Sequence, residues 1–293
     1  MRRINAILAG FPLVFVSGLM AVAQDAAPTP PAVIQITREW LKPGKSFLGH
    51  EKAEVAFANF SARAKLQGHY VALDAMSGKP RSLFLTRYPS FDAWEKDNKL
   101  VEKSPSLMSE VDRNITALGE FDEGVDFGVF TYNEEMSYHP RPDLSHARYY
   151  ELSIFHVRPG HMREWQQVVK QYKDAWDKAN VGAHWGVYEG TYGVEGGTYL
   201  ALSHRDSMKE IDDIHALGAK FVEAMGGEEG MQKFDELFGQ AVDSTRTELF
   251  SINPRQSYPE EAWIKGDPDF WKPKKAAPEP AAAKPAGPKP GGR

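Results

Sequence analysis

The chain has 293 residues, a formal net charge of −5 at pH 7 and no cysteine. Without cysteine there can be no disulfide, zinc–thiolate site, iron–sulfur cluster or cysteine nucleophile. The acidic charge disfavours binding to nucleic acid through a basic surface, so we expect no nucleic-acid partner. At roughly 150 residues per domain, the length predicts about two domains.

The N-terminus predicts a secretory signal peptide over residues 1–23. Two arginines precede an apolar run from Ala6 to Met20, and a small-x-small cleavage pattern ends at Ala23. The run is shorter than the about 20 residues of a membrane span and contains Pro12, so we expect cleavage. The mature chain would start near Gln24, have no transmembrane span, and lie in the periplasm or outside the cell.

A Pro/Ala linker is predicted at residues 24–32, and a C-terminal extension covers residues 261–293. From about Trp271 the extension is rich in Pro, Ala and Lys and has no other large apolar side chain. It cannot bury enough surface to offset the entropy of ordering, so we expect disorder from about residue 271. Its basic charge favours contact with an anionic envelope surface, and a solubilising spacer is the alternative.

Residues 33–140 and 141–260 are predicted to be two copies of one unit. Strand-like runs beginning at Val33 and Tyr149 each lead to a Pro-Gly pair, at Pro43 and Pro159. The later strands match in the same order, and a Ser-Tyr pair follows the fourth strand in both copies. The pattern predicts strand–helix–strand–strand–helix–strand in each copy, which is the ferredoxin-like split β-α-β arrangement.

Such a unit is an α+β sheet with helices on one face, and its other face must be covered. Two tandem copies can cover each other, sheet to sheet, as a pseudo-dimer within one chain. This layout resembles the dimeric α+β barrel superfamily, which includes NIPSNAP-like, EthD-like and antibiotic-biosynthesis-monooxygenase-like families. The resemblance rests on the repeat order and on the strand–Pro-Gly–helix start. It implies small-molecule chemistry that ranges from cofactor-free oxygenation to haem handling.

The alternation of polar residues on the first strand of copy two points to a candidate site. Glu151 and Ser153 share the more polar face, as Gln35 and Thr37 do in copy one. We expect this face to line the space between the two sheets, where a partly desolvated Glu151 suits a general acid or base. The alternative is a structural ion pair with a residue such as Arg246 on the last strand.

Two histidines are candidates for the same site. His184 begins the second strand of copy two and His204 ends the third, so both could meet Glu151 at one end of the sheet. We predict a catalytic set of Glu151, His184 and His204, which would serve as ligands only if a divalent metal or haem is found. The predicted ligand-binding residues are Ser153, Trp185, Tyr188, Tyr199 and Arg246.

No motif in the chain identifies a reaction. Glycine-rich nucleotide fingerprints, a Gly-x-Ser-x-Gly elbow and a His-Glu-x-x-His pair are all missing from the sequence. The leading hypothesis is an exported protein that binds an apolar or aromatic small molecule and performs cofactor-free oxygenation or proton transfer. Two alternatives stay open: a non-catalytic envelope scaffold or interaction protein, and a binder of haem or metal.

Overall fold

A computed structural model describes residues 29–180 and 182–272. The predicted signal peptide, most of the predicted linker and the chain beyond Lys272 lie outside these ranges. Within them, no helix combines the length and the apolar character needed to cross a bilayer.

Both repeats have the predicted order of elements, with additional helices before the fourth strand. The first repeat consists of β1 (Val33–Leu41), α1 (Phe47–Ala64), β2 (His69–Ala75), β3 (Arg81–Tyr88), α2 (Phe91–Glu102), α3 (Pro105–Leu118) and β4 (Asp122–Tyr138). The second repeat consists of β5 (Tyr149–Val157), α4 (Met162–Ala179), β6 (Trp185–Tyr192), β7 (Thr198–Arg205), α5 (Met208–Ala216), α6 (Gly218–Ala224), α7 (Gly227–Ala241) and β8 (Val242–Ile252). Two short helices follow, α8 (Glu261–Gly266) and α9 (Pro268–Trp271).

Local sequence signals explain where the helices begin. Ser104 precedes α3 with Pro105 at the first helical position, and the Ser104 hydroxyl accepts a hydrogen bond from the Leu107 N–H. Ser90 caps α2 in the same way through the Ala93 N–H, at 3.1 Å. These side chains satisfy N–H groups that have no partner inside the helix.

The eight strands close into one antiparallel barrel. The strand order around it is β1-β3-β2-β8-β5-β7-β6-β4, so each repeat contributes four strands. The two repeats are joined at both edges, where β2 pairs with β8 and β4 pairs with β6. Closure leaves neither sheet with an unpaired edge, which confirms the predicted pseudo-dimer within one chain.

Two serines form matching hydrogen bonds where the repeats meet, one beside the β4–β6 pair and one beside the β2–β8 pair. We call these two serines the edge latches. The Ser137 hydroxyl donates to the Asn133 carbonyl at 2.7 Å and accepts the Val187 N–H of β6 at 2.8 Å. The Ser257 hydroxyl donates to the carbonyl four residues before it at 2.7 Å and accepts the Ala72 N–H of β2 at 2.9 Å. Each latch therefore binds the end of one repeat to the second strand of the other.

The expectation about the faces of the sheet is wrong. Ile34, Ile36 and Leu152 lie in the apolar cluster that fills the barrel, whereas Glu151 and Ser153 lie on the outer face, beneath the helices of repeat 2. Closing the barrel brings the inner faces of both sheets together, so the more apolar alternating set is buried there. The outer face is also covered, because α4 and α7 lie over it.

The short C-terminal helices belong to the folded body. Trp263 and Trp271 are 1% and 2% exposed and pack against the cluster inside the barrel. The Trp271 indole N–H donates to the Ser145 carbonyl at 2.9 Å. Trp271, where we expected disorder to begin, is thus a buried residue.

We expect Ser137→Ala and Ser257→Ala each to lower the free energy of unfolding by about 1–3 kcal/mol, because each leaves a strand N–H buried without a partner. Urea denaturation measures the change. Ser244→Ala, at an exposed position on β8, is the matched control and should stay within about 0.5 kcal/mol of the parent protein. If the latch variants are as stable as this control, the latches do not hold the barrel closed.

Candidate functional site

A cavity of about 390 Å³ lies between the helices of repeat 2 and the outer face of its sheet. We call it the repeat-2 cavity. Its volume falls within the roughly 300–1,000 Å³ of typical small-molecule sites. Its lining includes side chains from β5, α4, β6, β7 and α7, with His184 immediately before β6: Glu151, Ser153, Phe155, Trp165, Val168, Tyr172, Trp176, Trp185, Tyr199, Ala201, Arg205, Phe234 and Phe238.

Eight phenylalanine, tyrosine and tryptophan side chains line the cavity. Trp165 and Trp176 project from one face of α4 and are 4% and 6% exposed. The Trp165 ring lies 5.6 Å from that of Tyr199 on β7, and the Tyr172 ring lies 5.4 Å from that of Trp185 on β6. A wall of this kind favours a flat aromatic ligand, which can stack on or meet the ring edges.

A carboxylate–guanidinium pair provides the charge at the cavity. The Arg205 Nε and Nη2 atoms both lie 2.6 Å from Glu151 Oε2. The Arg205 side chain is 8% exposed and that of Glu151 is 27% exposed. The predicted alternative of an ion pair at Glu151 is therefore present, with Arg205 as the partner in place of Arg246. Because both contacts use one oxygen, Oε1 keeps its capacity to accept a proton or hydrogen bond.

His184 is held as a neutral imidazole at the cavity. Its Nε2 lies 2.9 Å from the His204 carbonyl, which can only accept, so the proton is on Nε2 and Nδ1 carries a lone pair. This Nδ1 is buried without a hydrogen-bond partner. Burial, assisted by the charges of Arg141 and Arg205, lowers the pKa of His184 to about 3. Such a weak base suits hydrogen-bond acceptance better than proton transfer near neutral pH.

The structure brings together some of the predicted site residues and separates others. Glu151, Ser153, His184, Trp185 and Tyr199 line the repeat-2 cavity.

His204, Tyr188 and Arg246 do not line this cavity. Tyr188 belongs to the cluster inside the barrel, and the His204 Nε2 lies 2.9 Å from the Arg141 carbonyl. Arg246 is exposed and pairs in register with Ile154, on the opposite face of the sheet from Glu151. Among the described residues, Glu151, His184 and His204 do not converge as a set of metal ligands. The alternation along β7 places His204 on the opposite face from Glu151.

Sequence reasoning missed Arg205 and the aromatic residues of the helices. Arg205 shares the alternation of Tyr199 and Ser203 along β7, and β7 pairs with β5 next to Glu151. Strand alternation was the available signal, but the pairing of β7 with β5 was needed to use it. Trp165 and Tyr172 have helical spacing that is equally typical of a filled core.

No family model matches the sequence, and a search of curated proteins gives no match. Solved structures do match. A protein described as anthrone oxidase-like aligns with a TM-score of 0.53 and 12% identity over 78% of this chain and 94% of that one. Chlorite dismutase from Candidatus Nitrospira defluvii gives 0.47 and 10%, over 81% and 96%. A haem-binding protein from Thermus thermophilus gives 0.44 and 10%, over 79% and 96%. The resemblance to dimeric α+β barrels is confirmed at the level of fold.

The buried neutral His184 predicts a loss of stability in acid. Its pKa of about 3 lies below the unfolded value of about 6.5, so folding favours the unprotonated form. Its contribution is complete above about pH 6.5 and falls by up to about 1.4 kcal/mol per pH unit as the pH decreases towards 3.

We expect His184→Gln to flatten this decline, measured by urea denaturation at a series of pH values. His139→Asn, at an exposed histidine with no ion pair among the described residues, should leave the slope unchanged. An unchanged slope in the His184 variant would show that folding does not lower the pKa of this ring.

Proposed function

We propose that this chain, a dimeric α+β barrel built as a tandem repeat, binds an aromatic small molecule in the repeat-2 cavity and takes a proton from it. The observation that carries the proposal is an aromatic cavity of about 390 Å³ that contains one carboxylate–guanidinium pair. The fold alone does not identify a function, whereas the chemistry of these side chains restricts the ligands that fit.

Unpartnered polar atoms of two residues that line the cavity support binding of an oxygen-bearing ligand. The Trp165 indole N–H and the His184 Nδ1 are both buried without a hydrogen-bond partner. One is a donor and the other an acceptor, which are the groups that bind a ligand carbonyl and a ligand hydroxyl, respectively. A buried polar atom without a partner is costly, and a ligand that pairs with it gains from relieving that cost.

Glu151 is the proposed proton acceptor. A C–H or O–H bond of the ligand breaks, its proton moves to the Glu151 carboxylate, and the electron pair stays on the ligand. Arg205 then loses its anionic partner and is available to pair with the new ligand anion. The charge of Arg205 thus stabilises the Glu151 carboxylate in the free site and the ligand anion after proton transfer. The partly exposed Glu151 side chain gives the proton a route to solvent.

We extend the proposal to cofactor-free oxygenation, on the resemblance to monooxygenase-like barrels. In the overall reaction, a ring CH₂ group of the neutral ligand and O₂ give a C=O group and H₂O. This balances both atoms and electrons. A solved relative in fold is described as anthrone oxidase-like, and anthrone is an aromatic ketone with such a CH₂ group. Anthrone is therefore the probe of choice.

Haem is a poorer match to the same cavity. The His184 Nδ1 has a free lone pair that could take iron, but the buried Arg205 guanidinium is already paired with Glu151 and is not free for haem carboxylates. The visible absorbance of the purified protein separates the two ligands, because bound haem absorbs strongly there. A haem band that His184→Gln removes would favour the haem alternative over our proposal.

We also propose that the protein is exported, on the signal-peptide pattern that ends at Ala23. After expression in an exporting host, intact-mass analysis should give a chain that begins at Gln24 or Asp25. A mature chain that still carries the first 23 residues would contradict export by cleavage.

We expect anthrone to quench the tryptophan fluorescence of the protein in a saturable way, because Trp165, Trp176 and Trp185 line the cavity. Ala201→Phe fills the cavity from β7 and should weaken binding by more than about tenfold, since it removes the space for the ligand. Glu151→Gln keeps the shape of the site, so it should still bind but lose about 10²–10⁴-fold in the rate of anthrone ionisation and O₂ uptake.

Glu195→Gln is the control, because Glu195 is an exposed carboxylate of the same repeat outside the cavity. It should match the parent protein in both assays. The proposal fails in its binding part if quenching never saturates or survives Ala201→Phe, and in its chemical part if Glu151→Gln ionises anthrone as fast as Glu195→Gln.

A further inference from the structure

Repeat 1 contains a buried cluster of one histidine and three carboxylates, which we call the repeat-1 cluster. It consists of Glu39 on β1, His50 and Glu54 one turn apart on α1, and Asp122 at the start of β4. The His50 Nε2 lies 3.0 Å from Glu39 Oε2, 3.6 Å from Asp122 Oδ1 and 3.9 Å from Glu54 Oε1. All four side chains are at most 8% exposed.

The carboxylate oxygens of this cluster lack the partners that buried charges need. Glu54 Oε1 and both oxygens of Asp122 are buried without a hydrogen bond, and Glu54 is 3% exposed. Among the described residues, no lysine or arginine forms an ion pair with Glu39, Glu54 or Asp122. Uncompensated carboxylates are rarely buried in proteins unless they are protonated or coordinate a metal.

The surroundings of the cluster add little positive charge. Lys42 is the nearby cation, and its ammonium group donates to the Gly119 carbonyl at 2.8 Å at the protein surface. The neighbouring Tyr70 hydroxyl is buried and also has no partner. The site thus has an excess of negative charge and three free acceptor oxygens.

We propose that the repeat-1 cluster binds a first-row divalent cation through Glu39, His50 and Glu54, with Asp122 as a further oxygen ligand. One ligand atom from each of Glu39, His50 and Glu54 lies within 4.8 Å of the others. Ligands about 2.1 Å from a shared ion lie about 3.0–3.4 Å apart, so only small side-chain shifts are needed. An imidazole with carboxylates suits Zn²⁺, Mn²⁺ or Fe²⁺.

The comparison between the repeats shows that this cluster is specific to repeat 1. Glu39 lies four residues before Pro43, and Phe155 lies four residues before Pro159, so the two occupy matching places on their first strands. In repeat 2 this place belongs to the aromatic wall of the repeat-2 cavity. Repeat 1 thus has a buried carboxylate, Glu39, where repeat 2 has the apolar Phe155. A cation bound at the cluster would explain this difference.

The test is a titration of the full chain after dialysis against EDTA, with Zn²⁺ and Mn²⁺ as probes. Calorimetry should show one equivalent of Zn²⁺ bound, with an increase in Tm. Glu54→Gln should weaken binding by more than about 10-fold, the loss expected even for a residue that only supports a ligand. Without metal, this variant should be at least as stable as the parent protein, because it removes a buried like charge.

Glu51→Gln is the matched control, because Glu51 lies on the same helix and pairs with Arg255 at the surface. It should bind Zn²⁺ as tightly as the parent protein. As a second readout, Co²⁺ should give visible absorption bands that His50→Gln abolishes. The proposal is overturned if the parent protein binds no equivalent of metal, or if both the Glu54 and His50 variants bind it as tightly as the control.

Discussion

The antiparallel pairing of the two sheets at both of their edges is the constraint on which the rest of the structure depends. With β4 on β6 and β8 on β2, the inner faces of the sheets become one closed interior, which apolar side chains fill. The repeat-2 cavity and the repeat-1 cluster lie outside this interior, beneath the helices. The edge latches Ser137 and Ser257 lie at equivalent points near the ends of the two repeats, so the closure has the symmetry of the repeat.

The two outer faces carry different sets of side chains. Under α4 the sheet meets a wall of aromatic rings and a single ion pair between Glu151 and Arg205, which leaves a cavity suited to an aromatic ligand. Under α1, on the outer face of the repeat-1 sheet, Glu39 and His50 lie together with two further carboxylates. The repeat thus preserves a scaffold, on which we propose that one copy accepts a small molecule and the other holds a cation.

The sequence predicted the parts of this architecture that depend on local pattern. The order of elements, the duplication and the closure within one chain all follow from the matching strands and the two Pro-Gly pairs. The faces of β5 could not be assigned in the same way, because both are covered by other parts of the protein. Alternation alone does not show which face points into the barrel and which lies under the helices. For the same reason, the sequence did not show that Glu151 and His204 lie on opposite faces of the sheet. It also did not show that Arg205 lies beside Glu151, because that contact depends on the pairing of β7 with β5. The repeat-1 cluster escaped notice because Glu39, His50 and Asp122 are distant in sequence and meet only in the folded protein.

A crystal structure of the chain grown with Mn²⁺ and anthrone would test most directly the claim that the two outer faces hold different ligands. The account predicts an anomalous peak between Glu39, His50 and Glu54, and a planar ligand between α4 and β5 in contact with Trp165 and Glu151. Anomalous density only at the protein surface, or a ligand bound inside the barrel, would contradict it.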